Sequence, residues 1–256
     1  MTTEKYISYS DQVKFFKKNL ELSIELSQIY ANRSLGARAY WRSILMIRYI
    51  NIAVGINRLL PTEGLEATHF HSWDFGAIAT LTRTFIEAFH AFYYIGVDDV
   101  SEEEWEFRIK VFSLHDYSRR EEIFKLMGES LEEQKFAKQK IELLKDVKRS
   151  QKFKALSKEI QVKIEKFQTA YVIGKHEIER KINPDNALFA FMYKFLSIQT
   201  HNLPMSFFRT QAESRGSGIE NEIDKEYINM SVQWVSEYLK KGNGYMESEV
   251  VKLIQT

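Results

Sequence analysis

Residues 75–97 read FGAIATLTRTFIEAFHAFYYIGV, the most apolar run of the chain. Its large side chains, Phe75, Ile78, Leu81, Phe85, Ile86, Phe89, Phe92 and Tyr93, recur in steps of three and four and wrap most of an α-helix in apolar surface. A helix that is apolar nearly all round belongs at the centre of a bundle. Three polar residues interrupt it at helical spacing, Arg83, Glu87 and His90, with Tyr94 extending the line. An ionised group buried without a partner is strongly destabilising, so this stripe is expected to meet its own members, polar residues elsewhere, or a ligand.

The flanking sequence sets the helix ends. Ser72 or Asp74 can cap a helix over 75–95, and Gly96 with Asp98 and Asp99 ends it. Upstream, amphipathic helices are predicted over 11–30 and 34–60, and Pro61-Thr62-Glu63-Gly64 breaks the pattern. Downstream, Ser101-Glu-Glu-Glu104 is a capping box opening a helix with Trp105, Phe107, Val111 and Leu114, and Ser130-Leu-Glu-Glu133 repeats that signature. Residues 131–180 are strongly charged, yet Phe153, Leu156, Ile160, Ile164 and Phe167 keep one apolar face. A further apolar helix is predicted over 186–202, ending at Asn202-Leu203-Pro204. Arg215-Gly216-Ser217-Gly218 reads as a loop, and a last long helix carries Ile223, Tyr227, Met230, Trp234 and Tyr238.

Eleven Gly and three Pro in 256 residues argue against a turn-rich β architecture. The predicted fold is a single all-α domain over 1–256, a bundle around the 75–95 helix, with 131–180 as a charged helical hairpin or arm. A net charge of +1 provides no global field for nucleic acid or an anionic membrane. The absence of Cys excludes disulfides, thiolate nucleophiles and Cys-ligated zinc. The N-terminal MTTEKYISYSDQVKFFKKNL has no apolar core of a secretory signal, and no uncharged run reaches membrane-spanning length. The expectation is a cytoplasmic protein that does not enter the membrane.

Two other helices carry polar lines. One holds Arg108, His115 and Asp116; the other holds Tyr193, Ser197 and His201, spaced by four and therefore stacked on one face. Packed together, the three lines would gather an Arg, a carboxylate and up to three imidazoles in an apolar surround suited to general acid–base chemistry. The same residues equally suit a buried structural network.

These residues also carry a resemblance. Asp74, Arg83-Thr-Phe-Ile-Glu87, Arg108, His115-Asp116 and Tyr193-Lys-Phe-Leu-Ser197-Ile-Gln-Thr-His201 resemble a bacterial family of helical domains of unknown function, over roughly residues 30–210. Its marks are an Arg-x-x-x-Glu helix and a late Tyr-x-x-Leu-Ser-x-x-x-His helix. The resemblance implies that Arg83, Glu87, Tyr193, Ser197 and His201 form one site and that such genes lie among bacterial mobile or defence elements. It leaves the chemistry open, and 131–180 looks particular to this chain.

A looser resemblance is to the HEPN ribonucleases, marked by Arg and His on one helix. Arg83 with His90, and Arg108 with His115, each leave six residues between. The HEPN likeness implies a metal-independent endoribonuclease in phage defence. His90 or His201 would move protons, Arg83 would hold phosphate and Glu87 would orient a neighbour. HEPN nucleases often place a small polar residue such as Asn, Asp or His after the Arg, where this chain has Thr84 and Ile109.

Residues 26–62 hold Arg33, Arg38, Arg42, Arg48 and Arg58 without an acid, among Tyr30, Tyr40, Trp41 and Tyr49. That composition suits single-stranded RNA, or else arginines facing acidic runs with the aromatics in the core. Glu87-Ala-Phe-His90 is a Glu-x-x-His step of the di-iron kind, but it has no second copy, and neither metal nor cofactor is expected. His69 and His71 flank Phe70 in a predicted loop. Phosphate-cradling Gly loops, nucleophile elbows and HExxH are absent. The readings left open are an RNA-cleaving effector and a non-catalytic helical module that binds a small ligand or partner protein. Candidate partners are RNA, an antitoxin or sensor subunit, or a second copy in a homodimer.

Overall fold

The structure is a computed structural model that describes residues 8–30, 36–64, 72–208 and 215–254, with backbone only for 252–254. It is all-α, and the described residues contain no strand. The chain divides into two compact units, one formed by residues up to 97 and from 182 onward, the other by 98–181.

In the first unit, α1 (Tyr9–Tyr30), α2 (Ala37–Leu59) and α3 (Phe75–Ala91) precede a π-helical turn, Phe92–Val97. Asp74 Oδ1 accepts from the Ala77 amide at 3.0 Å, so the cap is Asp74. Phe85, Ile86 and Phe89 are wholly buried. The helix was expected to continue to 95, but from Phe92 it widens into the π turn. There Arg42 Nε donates to the Gly96 carbonyl at 2.8 Å, and a Cβ on Gly96 would lie 3.1 Å from the Arg42 backbone.

In the second unit, α4 (Glu102–Met127) turns back through Gly128 into α5 (Ser130–Arg149), followed by α6 (Gln151–Ala155), α7 (Lys158–Glu165) and α8 (Lys175–Ile182), whose last residue belongs to the first unit. Ser101 accepts from the Glu104 amide as its signature requires, but the Glu104 carboxylate pairs with Arg108 instead of closing the box. The second signature does not form. Gly128, at φ 75°, hands its amide to Lys125 and the Glu129 amide to Phe124, so the turn is complete before Ser130, which begins the helix uncapped. The hairpin of this unit is therefore α4 against α5, clamped by Phe124 stacked on Phe136 at 5.6 Å.

The chain re-enters the first unit with α9 (Phe189–Thr200), α10 (Pro204–Phe208) and α11 (Glu222–Ile254). α3 packs against α2, α9 and α11, which explains its all-round apolar sequence. α1 lies along α11, its register pinned by buried polar pairs: Ser23 Oγ donates to Asn243 Oδ1 at 2.6 Å, and Gln12 Nε2 to Ser236 Oγ at 3.2 Å. No helix among the described residues is long and apolar enough to cross a membrane.

Candidate functional site

The packing of α9 on α3 brings three expected site residues together. Arg83 reaches Glu87, one turn along α3, with Nη1 2.7 Å from Oε1. Tyr193 donates its hydroxyl to the same Glu87 oxygen at 3.0 Å. Its ring lies under the guanidinium, 3.7 Å from ring centroid to Arg83 Cζ. The Arg83 side chain is 10% exposed and that of Glu87 43%, so the cation is turned inward and the acid opens outward. Arg83 Nε is buried and has no hydrogen-bond partner among the described residues.

His90 continues the stripe but enters different surroundings. It is 2% exposed, with its ring 5.6 Å from Phe189 and 6.4 Å from Tyr238. Ser197 stands one turn beyond Tyr193, partly exposed, and His201 is the exposed C-cap residue of α9. Arg108, His115 and Asp116 lie on α4 in the second unit. Arg108 is buried between Asp98, at 2.8 Å, and Glu104, at 3.0 Å. Asp116 pairs with Arg120. Burial, aided by the Arg119 charge, pushes the His115 imidazole below its ordinary value against a smaller opposite pull from Asp116.

The arginine-rich segment divides. Arg42 donates to Gly96 and pairs with Glu249, Arg38 is half-buried, and Arg48 and Arg58 are exposed. Tyr30 and Tyr49 are core residues. Arg33, His69, Phe70 and His71 lie outside the described residues. No group of three or more metal-ligating side chains occurs among the described residues.

Beside the Arg83 cluster, α9 and α11 border a cavity of about 600 Å³. Its apolar wall includes Leu188, Phe191, Met192, Met230 and Trp234, and its polar rim includes Glu237 and Lys241. An aromatic row leads to it, from Tyr193 to Phe189 at 5.3 Å and from Phe189 to Trp234 at 6.3 Å. Sequence reasoning placed Met230, Trp234 and Tyr238 along the last long helix and passed over Gln233, Glu237 and Lys241. Their own four-residue spacing beside that stripe marks a polar edge along one side of it.

The fold and site together define a helical protein with a half-buried Arg–Glu–Tyr cluster at the junction of its central helix and a late aromatic helix. The chain belongs to DUF5677, a family of unknown function, whose model matches residues 39–217 and so takes in both motif helices. Neither the curated proteins nor the solved structures yield a match.

Proposed function

We propose that this protein is a non-catalytic helical module that binds a small amphipathic organic ligand in the α9–α11 cavity, with the Arg83–Glu87–Tyr193 cluster holding α9 in place behind it. The observation that carries this reading is the direction of the stripe. Arg83 is turned inward onto Glu87 and over the Tyr193 ring, and His90 is 2% exposed among aromatic rings, so neither group faces a substrate phosphate. The cavity beside them has the volume and lining of an ordinary small-molecule site, a mostly apolar wall with a few polar groups at its edge. Trp234 supplies a flat face for a ring, and Glu237 and Lys241 supply orientation.

Metal-independent RNA cleavage is the competing reading. Its best support is His201, exposed at the end of the helix that carries Tyr193. Against it, Arg83 and Arg108, the arginines of the two Arg–His pairs, are both held by carboxylates.

The test is a titration of the full chain with the amphipathic fluorophore 8-anilinonaphthalene-1-sulfonate. Saturable one-to-one binding that falls at least tenfold in Met230→Trp, a substitution that fills the cavity, supports the proposal. Binding that does not saturate, or that Met230→Trp leaves unchanged, overturns it. RNA cleavage that is lost in His201→Ala at unchanged melting temperature would establish the competing reading in its place.

A further inference from the structure

A second cavity, about 310 Å³, lies within the first unit where the start of α3 meets α9 and the loop before α11. Its floor is a cluster of three rings. Phe75 stacks on Phe195 at 5.6 Å, and Tyr227 lies 5.1 Å from each. Its rim is built rather than loose. The Gly218 carbonyl accepts from the Trp73 amide at 3.0 Å, and at φ +83° a Cβ there would strike Ser72 Oγ at 2.6 Å. The Gly216 amide is held at 3.0 Å by Asp224 Oδ2, which also accepts from Asn221 at 2.7 Å.

Three charged side chains line this cavity, and their commitments differ. Arg215 lies over the Tyr227 ring, 5.4 Å from its centroid, and among the described residues it has no acidic partner and its buried Nε no hydrogen-bond partner. Asp74 uses Oδ1 to cap α3, while its other oxygen makes no hydrogen bond among the described residues. Asp224 is 4% exposed and uses Oδ2 for the loop. A simple anion would satisfy Arg215 but confront two carboxylates, and a simple cation would leave Arg215 unanswered. A zwitterion gives every charge an opposite neighbour.

We propose that this cavity binds a small aromatic zwitterion of the α-amino acid class. The ring rests on Phe75, Phe195 and Tyr227, the carboxylate meets Arg215, and the ammonium faces Asp74 and Asp224. The site is separate from the α9–α11 cavity and does not rest on its assignment.

Calorimetric titration of the full chain with L-phenylalanine, phenethylamine and phenylacetate tests the proposal, since the last two each lack one charge. Phenylalanine is expected to bind at least tenfold more tightly than either. Arg215→Gln should reduce phenylalanine to the level of phenethylamine and leave phenethylamine unchanged. Asp74→Asn, which retains a capping side chain, should weaken phenylalanine and phenethylamine by a common factor of about five while sparing phenylacetate. Met230→Trp, in the other cavity, should change none of these values. No heat with phenylalanine at millimolar concentration, equal binding of the three compounds, or loss of binding in Met230→Trp overturns the proposal. Should Arg215→Gln not fold, the three-compound comparison on the unaltered chain decides alone.

Discussion

The guanidinium of Arg83 lies over the ring of Tyr193, 3.7 Å from its centroid, although 110 positions separate the two in sequence. One tyrosine thereby meets both ends of an ion pair, the cation through its ring face and Glu87 through its hydroxyl. The pair spans a single turn of α3, so it forms as that helix forms; Tyr193 then makes it a recognition point for α9. The cluster thus couples a local interaction to the packing of a distant helix, which is a structural duty whatever binds nearby.

Removing the acid should cost more than removing the hydroxyl. Glu87→Ala strands the Arg83 charge at 10% exposure and is expected to destabilise by about 2–3 kcal/mol, below the usual range for a buried pair because Glu87 is itself half-exposed. Tyr193→Phe keeps the ring over the cation and loses one hydrogen bond, about 1 kcal/mol. The double replacement Arg83→Met with Glu87→Leu should cost less than Glu87→Ala alone. Urea unfolding of the three variants checks the order; a double variant less stable than Glu87→Ala would show that the cluster's charge itself stabilises the fold.

The ends of the second unit are clasped by charge. Asp98, its first residue, accepts from Lys181, its last, at 2.9 and 2.8 Å and also holds buried Arg108. Burial pushes the Asp98 carboxyl up, but the hydrogen bonds and charges of Lys181 and Arg108 outweigh it, leaving the group below its ordinary value. A carboxylate depressed in the folded state stabilises fully above its unfolded value and loses that contribution as the pH falls through the lower folded one. Asp98→Asn should therefore lower stability by about 3 kcal/mol at pH 7. The gap in melting temperature between the unaltered chain and this variant should hold above about pH 5, begin to narrow below about pH 4, and go on narrowing as the pH falls through the lower folded value. A gap that stays constant down to pH 3 would refute the assignment.

Gly242 makes room for Tyr49. A Cβ at 242 would stand 2.8 Å from the Tyr49 hydroxyl oxygen and 3.0 Å from Phe89 Cε2, and that hydroxyl is buried without a hydrogen-bond partner among the described residues. Gly242→Ala should destabilise by about 1–2 kcal/mol despite the better helix propensity of alanine. Tyr49→Phe should be neutral or stabilising, since it removes an unsatisfied polar atom. In the Tyr49→Phe background, Gly242→Ala should cost at least about 0.5 kcal/mol less, a coupling that a double-mutant cycle reads directly. Strict additivity would mean that the Phe89 contact, and not the hydroxyl, limits the space.

What the sequence made legible was local. The 75–97 run announces a central helix because three neighbouring helices demand apolar surface all round it, and the Arg83–Glu87 pair follows from its four-residue step. Tyr193 could be set on a face of its helix but not against Arg83, because pairing between distant helices depends on packing angles that no local spacing encodes. The Asp98–Lys181 clasp was invisible for the same reason, each residue standing among many charges that look alike in sequence. Ser130 had the right neighbours for a cap but came one residue after a turn that Gly128 and Glu129 had already completed. Arg42, which the sequence left open to RNA or to an acidic partner, pairs with Glu249 and holds the Gly96 carbonyl at the π turn.

The two histidines of the α3 and α9 stripes should separate cleanly. His90 fills a position between Phe189 and Tyr238 at 2% exposure, so His90→Ala opens a cavity and should cost about 2–4 kcal/mol. His201 is exposed at a helix C-cap, and His201→Ala should stay within about 0.5 kcal/mol of the unaltered chain. A catalytic His90 would instead lose RNA cleavage while keeping its melting temperature, because catalytic groups contribute to the reaction and not, as a rule, to the fold. Parallel melting curves and an RNA cleavage assay on the two variants decide it: a stable, inactive His90→Ala protein would overturn the structural role assigned to this residue, and with it the non-catalytic reading of the stripe.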